Sequence, residues 1–128
     1  MTSSGQVIDD DRISRISVAS NAVALIPKKD LTETKSFANP PQAVKDVLEA
    51  VMILLGHKGA DLEWRNIQKA LGGSSFLKVI GDVDYDKISQ ETRAKAMNKV
   101  SEYSHESIMK NSKAATIFYD WVIAVSKE

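Results

Sequence analysis

Apolar positions recur at helical spacing along most of this chain. Val44, Val47, Leu48, Val51, Leu54 and Leu55 form one stripe, with Lys45 and Glu49 four apart on the opposite face as an ion pair. That pattern predicts an amphipathic helix ended by Gly56 and followed by a His57-Lys58-Gly59 loop. Asp61 is placed to cap a second helix carrying Leu62, Ile67 and Leu71 inward and Arg65 and Lys69 outward, with Gly72-Gly73 as its stop. Ser75 is placed to cap a short helix over Phe76–Ile80, closed by Gly81. Ser89 is placed to cap another, with Glu91 in its first turn, Ala94, Met97 and Val100 inward, and Arg93, Lys95 and Lys99 outward. Ser104 is expected to cap the last and longest helix, with Glu106 in its first turn. Inside that helix Ala115, Phe118, Val122 and Val125 are spaced 3, 4 and 3, a heptad seam of the kind that packs against a second helix.

The N-terminal third is weaker. Residues 1–20 open with the polar Thr2-Ser3-Ser4-Gly5 and an Asp9-Asp10-Asp11 run, and Ile13, Ile16 and Val18 make only a faint stripe. A poorly ordered segment is expected over residues 1–24, either a frayed terminus or an expression remnant. Pro27 suits the start of a new helix, and Lys28–Ala38 reads as a short helix with a thin seam of Leu31 and Phe37. Asn39-Pro40-Pro41 is the clearest break, because each proline drives the residue before it out of the helical region. Only Val79–Tyr85 shows any alternation of the strand type. The expected fold is all-α, a small bundle of about six helices.

Composition narrows the function. With 128 residues the chain fits one domain that buries a sizeable core without staples. It has no Cys, which removes disulfides, Cys-ligated zinc and thiol chemistry. Lys and Arg number 17, equal to Asp and Glu. Neutrality argues against nucleic acid as a partner. No apolar run approaches the roughly 20 residues a membrane span needs, so no membrane partner is expected.

Candidate chemistry is sparse. Asp82-Val83-Asp84-Tyr85-Asp86 imitates the start of a calcium loop, but Lys87 and Arg93 stand where the loop needs Gly and Glu. His57 and His105 lack further ligands at metal spacing, and Gly72-Gly73 lacks the Lys-Ser/Thr of a phosphate loop. No catalytic residue, metal or cofactor is expected. Trp64 and Trp121 read as core anchors, and Met52, Met97 and Met109 as core fillers. The remaining candidates are basic residues on helix faces.

Read together, the motifs from Leu25 to Val125 resemble the microtubule-binding domain at the tip of the dynein heavy-chain stalk. Leu31 to Pro41 looks like the end of the outgoing stalk helix and its Pro-Pro junction, at Asn39, Pro40 and Pro41. Val44-Lys45 and Glu49 to Gly56 look like the domain's first helix. Trp64, Leu71-Gly72, Phe76-Leu77 and Asp84 to Ile88 follow in the family's order, and Ser112 to Ala115 with Trp121-Val122 looks like the last helix becoming the returning stalk strand. The Ser-Lys-Ala-Ala and Asp-Lys-Ile pieces look more like axonemal than cytoplasmic members.

The resemblance implies a stalk helix over residues 25–38, a microtubule-binding bundle over 39–115 and a returning strand over 116–128. It implies that the two strands pair antiparallel and that their register sets microtubule affinity. By position, Lys45 matches a basic contact of the first helix, Lys110 one of the last helix, and Glu106 an acidic position that moderates affinity. Lys113 joins this basic set. Some members carry Arg where Gly73 stands here, and Lys78 is the candidate substitute. The implied partner is α/β-tubulin, the implied place the cytoplasmic cytoskeleton or the axoneme of a cilium or flagellum, and the isolated domain is expected to be monomeric. The fragment is expected not to be an enzyme, the motor's ATPase lying outside it. The competing reading is a helical adaptor that receives a partner helix on Phe118 and Val122.

Overall fold

The computed structural model describes residues 3–73 and 75–127, the first ten of these by backbone alone. Those residues form eight α-helices and no strand: α1 Ser3–Ala24, α2 Lys28–Lys35, α3 Gln42–Leu54, α4 Trp64–Gly72, α5 Phe76–Asp82, α6 Gln90–Val100, α7 His105–Met109 and α8 Lys113–Ser126. Single 3-10 turns fill Gly59–Leu62 and Tyr85–Lys87.

α3 is the central element. Its residues from Val47 to Leu54 are all buried, and it packs on α6, α8 and α4. It stops because Gly56 takes φ 96°, which lets the His57 N–H reach the Met52 carbonyl at 3.0 Å and the Gly56 N–H reach that of Ile53 at 3.0 Å. α8 closes the core with Phe118, Trp121, Val122 and Val125, none of which is exposed. The Phe118 ring meets Phe76 of α5 with centroids 6.0 Å apart, tilted by 57°.

The segment expected to be poorly ordered is, from Ser3 to Ala24, a helix of 22 residues. Ile16, Ala19 and Val23, followed by Ile26 just past its end, are buried. Their spacing of 3, 4 and 3 repeats the seam of α8, and α1 packs on α8. Ile13 and Val18, which fall on the stripe in the sequence pattern, are instead exposed. Pro27, just beyond α1, shares a cleft with Lys113 and Thr116 at the start of α8, whereas Ser14 shares one with Lys127 past its end. The two helices therefore run antiparallel. Met1 and Thr2 lie outside the described residues.

Local differences from the sequence pattern have local causes. Glu63, not Asp61, precedes α4, because Gly59–Leu62 turns as a 3-10 helix first. Ser75 stands before α5 but makes no side-chain cap. In α6 the buried position is Ala96 and not Ala94, and Met109 is 49% exposed. The expected long last helix is two helices. Ser104 and Ser107 form a reciprocal capping box for α7 alone, and Ser112 starts α8 by accepting the Ala115 N–H at 3.1 Å.

The Pro-Pro break is fastened from outside. The Phe37 carbonyl, beyond the end of α2, accepts Trp64 Nε1–H at 2.7 Å and Gln68 Nε2–H at 3.0 Å. Gln68 also donates to the Lys35 carbonyl at 2.7 Å. These bonds satisfy carbonyls that the helix end leaves open. Gln68→Ala is expected to cost about 1–2 kcal/mol, read as a lower urea midpoint with unchanged helical content.

Candidate functional site

Lys45 lies in the first turns of α3 and is half-buried. Its two acidic neighbours on that helix are engaged elsewhere. Asp46 accepts the Tyr103 hydroxyl through Oδ2 at 2.7 Å and the Gln42 amide through Oδ1 at 2.9 Å. Glu49, 9% exposed, is held by Lys99 of α6, with Nζ 2.8 Å from Oε2. The Lys45–Glu49 pair expected from spacing is thus replaced by a cross-helix pair. Glu49 turns inward because α6 offers a cation where α3 is otherwise covered. Among the described residues Lys45 makes no ion pair.

A short polar chain ties this face of α3 to the α6–α7 corner. Tyr103 bonds Asp46 by its hydroxyl, and its carbonyl accepts the Tyr119 hydroxyl of α8 at 3.0 Å. Ser104, the next residue, caps α7. Glu106 is therefore in an exposed first turn whose start is fixed to α3. Lys110 ends α7 and Lys113 begins α8, both exposed. His105 of α7 and Asp120 of α8 close the same corner at 2.9 Å.

Burial and the Asp46 bond push the Tyr103 hydroxyl up to about 12 from an ordinary 10.0. The hydrogen bond that Lys99 donates to Glu49 raises Lys99 above its ordinary 10.5. A group whose pKa is raised on folding stabilises fully below its unfolded value and loses that contribution as pH climbs through the folded one. Stability is therefore expected to hold to about pH 10 and to fall toward pH 12. Urea midpoints across that range check it, and Tyr103→Phe should flatten the fall.

The structure brings Lys45, Glu106 and the Lys110–Lys113 turn onto elements that touch or are bonded to each other. Lys78 is exposed on α5, which packs on α1 and α4 and meets α8 through the Phe76–Phe118 ring pair. Asn39 is exposed and Pro40 half-buried, and Pro41 stands at the N-terminus of α3 with φ −54° and ψ 145°. The Lys99–Glu49 and Tyr103–Asp46 links carried no sequence signal, since their partners lie 50 and 57 residues apart. Asp82–Asp86 closes α5 and enters a 3-10 turn, with Asp84 near Lys87 at 3.9 Å.

A family model described as the microtubule-binding stalk of dynein motor matches residues 11–127. The chain belongs to this dynein stalk family. It is 31% identical over 110 residues to a dynein heavy chain-like protein 1 of Plasmodium falciparum, covering 84% of this chain and 2% of that protein. It is 32% identical over 102 residues to the human dynein axonemal heavy chain 10, covering 78% of this chain and 2% of that one. It is 34% identical over 110 residues to the cytoplasmic dynein heavy chain of Saccharomyces cerevisiae, covering 83% and 3%. The chain thus spans a small fraction of these relatives. The axonemal and cytoplasmic identities are nearly equal, so overall similarity assigns the dynein stalk domain to neither branch.

Proposed function

We propose that this dynein stalk domain grips the acidic surface of a microtubule through Lys45, Lys110 and Lys113, with Lys78 as an outlying contact and Glu106 tempering the attraction. The observation that carries this reading is the state of Lys45. Both carboxylates that could neutralise it from its own helix are bound to other residues, Asp46 to Tyr103 and Glu49 to Lys99. An ammonium kept from internal pairing is available to an external carboxylate.

α1 and α2 serve in this reading as the outgoing stalk strand and α8 as the start of the returning one. Their matched seams give register a route to the grip, since α8 begins at the Lys110–Lys113 turn. The ATPase belongs to the longer motor. The adaptor reading is not favoured, because Phe118 and Val122 are already buried against this chain's own helices.

Microtubule co-pelleting tests the proposal. Binding should weaken as salt rises, because screening cuts attraction between exposed charges. Lys45→Ala should lower affinity about fivefold, the scale of one charged contact, with an unchanged helical spectrum. Unchanged pelleting in that variant would sink the assigned surface.

A further inference from the structure

α7 is five residues long, too short to keep a helical turn or an orientation without tertiary contacts. One such contact is apolar, the wholly buried Ile108. The capping box at Ser104 fixes where the helix starts and not how it is rolled about its axis. The other lateral contact is ionic. His105 Nδ1 lies 2.9 Å from Oδ1 of Asp120, in the middle of α8.

The pair stands at a cleft of about 340 Å³ where the start of α2 and α8 meet α7. Pro27 and Asp30 line it from the α2 side, His105 and Met109 from α7, and Lys113 and Asp120 from α8. His105 and Met109 are one turn apart and face the cleft together. Glu106 and Lys110, one position further on, are exposed and do not line it. A roll of α7 that broke the His105 contact would swing Glu106 and Lys110 by the same angle, because one short helix carries all four.

We propose that His105 is a positioning residue for the microtubule grip: its pair with Asp120 fixes the roll of α7, which aims Lys110, and makes the grip sensitive to protons. The proposal rests on the microtubule reading above and assigns control of it to a residue outside the proposed contacts. An imidazole changes charge between about pH 5 and 8. The charged groups facing His105 are Asp120 and Lys113 of α8 and Asp30 of α2, with Glu106 beside it on α7. Three carboxylates outnumber one ammonium, so this corner holds a protonated ring more firmly than a neutral one. The tether is therefore tightest at the low end of that range and slackens as pH rises through it.

The test is microtubule co-pelleting of the 128-residue chain from about pH 6 to 8 at fixed ionic strength, for the wild type, His105→Gln and Asp120→Ala. Tubulin and His57 contribute equally in all three and cancel in the comparison. Across the range the wild type is expected to lose about threefold more affinity than either variant, the scale of one half-exposed ion pair. Asp120→Ala keeps the imidazole and removes only its partner. A slope in that variant equal to the wild type's would make the proton a bare surface charge and overturn the proposal. A wild-type slope equal to that of His105→Gln overturns it as well. Both positions are exposed, so both variants should keep the helical spectrum, and either one alone decides the slope.

Amide exchange reads the tether without the filament. The Ile108 and Lys110 N–H groups donate to the Ser104 and Glu106 carbonyls along α7. Their protection at the low end of the range should fall about threefold in Asp120→Ala. Equal protection overturns the positioning role. A chain that pellets at no pH, yet loses this protection in Asp120→Ala, rejects the filament reading and leaves the tether standing.

Discussion

Phe118→Ala is expected to lower the stability of this domain by about 3–5 kcal/mol, the range for emptying a buried aromatic site. Phe118 is wholly buried and sits in the middle of the α8 seam, against Phe76 of α5. Its removal opens a cavity where α8 closes the bundle, and rigid helices on several sides limit collapse into it. A domain of this size has roughly 5–15 kcal/mol in total. The melting temperature should fall by roughly 10–20 °C, measured by circular dichroism. Trp121 supplies the contrast. Its Nε1 is buried without a hydrogen-bond partner among the described residues. Trp121→Phe therefore gives up volume and no hydrogen bond, and should cost less than Phe118→Ala. A drop below about 1 kcal/mol for Phe118→Ala would mean that the seam does not carry the core.

The second large effect is expected from Lys99→Ala. It leaves Glu49 as a carboxylate at the α3–α6 interface, deprived of its 2.8 Å partner. Removing one member of a fully buried pair costs about 3–5 kcal/mol. Lys99 is 42% exposed, so water reaches the pair and about 1–2 kcal/mol is the better expectation here. The variant should also weaken microtubule binding, although Lys99 is not among the proposed contacts. Glu49, released, is one helical turn from Lys45 and free to pair with it. Restoring affinity by adding Glu49→Gln to Lys99→Ala would show that the loss came through Glu49. If Lys99→Ala loses stability and keeps full affinity, the cross-helix pair protects the fold and not the grip.

The readable parts of the chain were those with strong local signals. Gly56, Pro27, the Asn39-Pro40-Pro41 break and the α3 stripe all follow from backbone restriction or from period, and the helices stand where those signals put them. The less legible parts share a cause. The α1 seam of Ile16, Ala19, Val23 and Ile26 includes a small residue and runs beside a polar opening, so its period was faint. Only the facing seam on α8, about 100 residues away, makes it visible. The break between α7 and α8 was hidden because Ser112 is as good a cap as Ser104, and two caps can be read as one helix with a polar turn. The candidate site was legible as a set of basic residues and not as a surface. Nothing in spacing separates Lys45, which makes no ion pair among the described residues, from Lys99, which holds Glu49.

The sequence by itself determined the all-helical class, the position of the central helix and the breaks around it. These depend on φ restriction and on a 3.6-residue period, which are properties of neighbours along the chain. It also carried the ordered motifs by which the chain resembles the dynein stalk. The tertiary structure alone decided that α1 pairs antiparallel with α8, that Glu49 turns to Lys99, and that His105 meets Asp120. Charge pairing is settled by which groups the packed helices bring within a few ångströms, and that distance is unrelated to separation along the chain. A neutral total of 17 charges of each sign therefore folds into a surface where, among the described residues, Lys45 makes no ion pair.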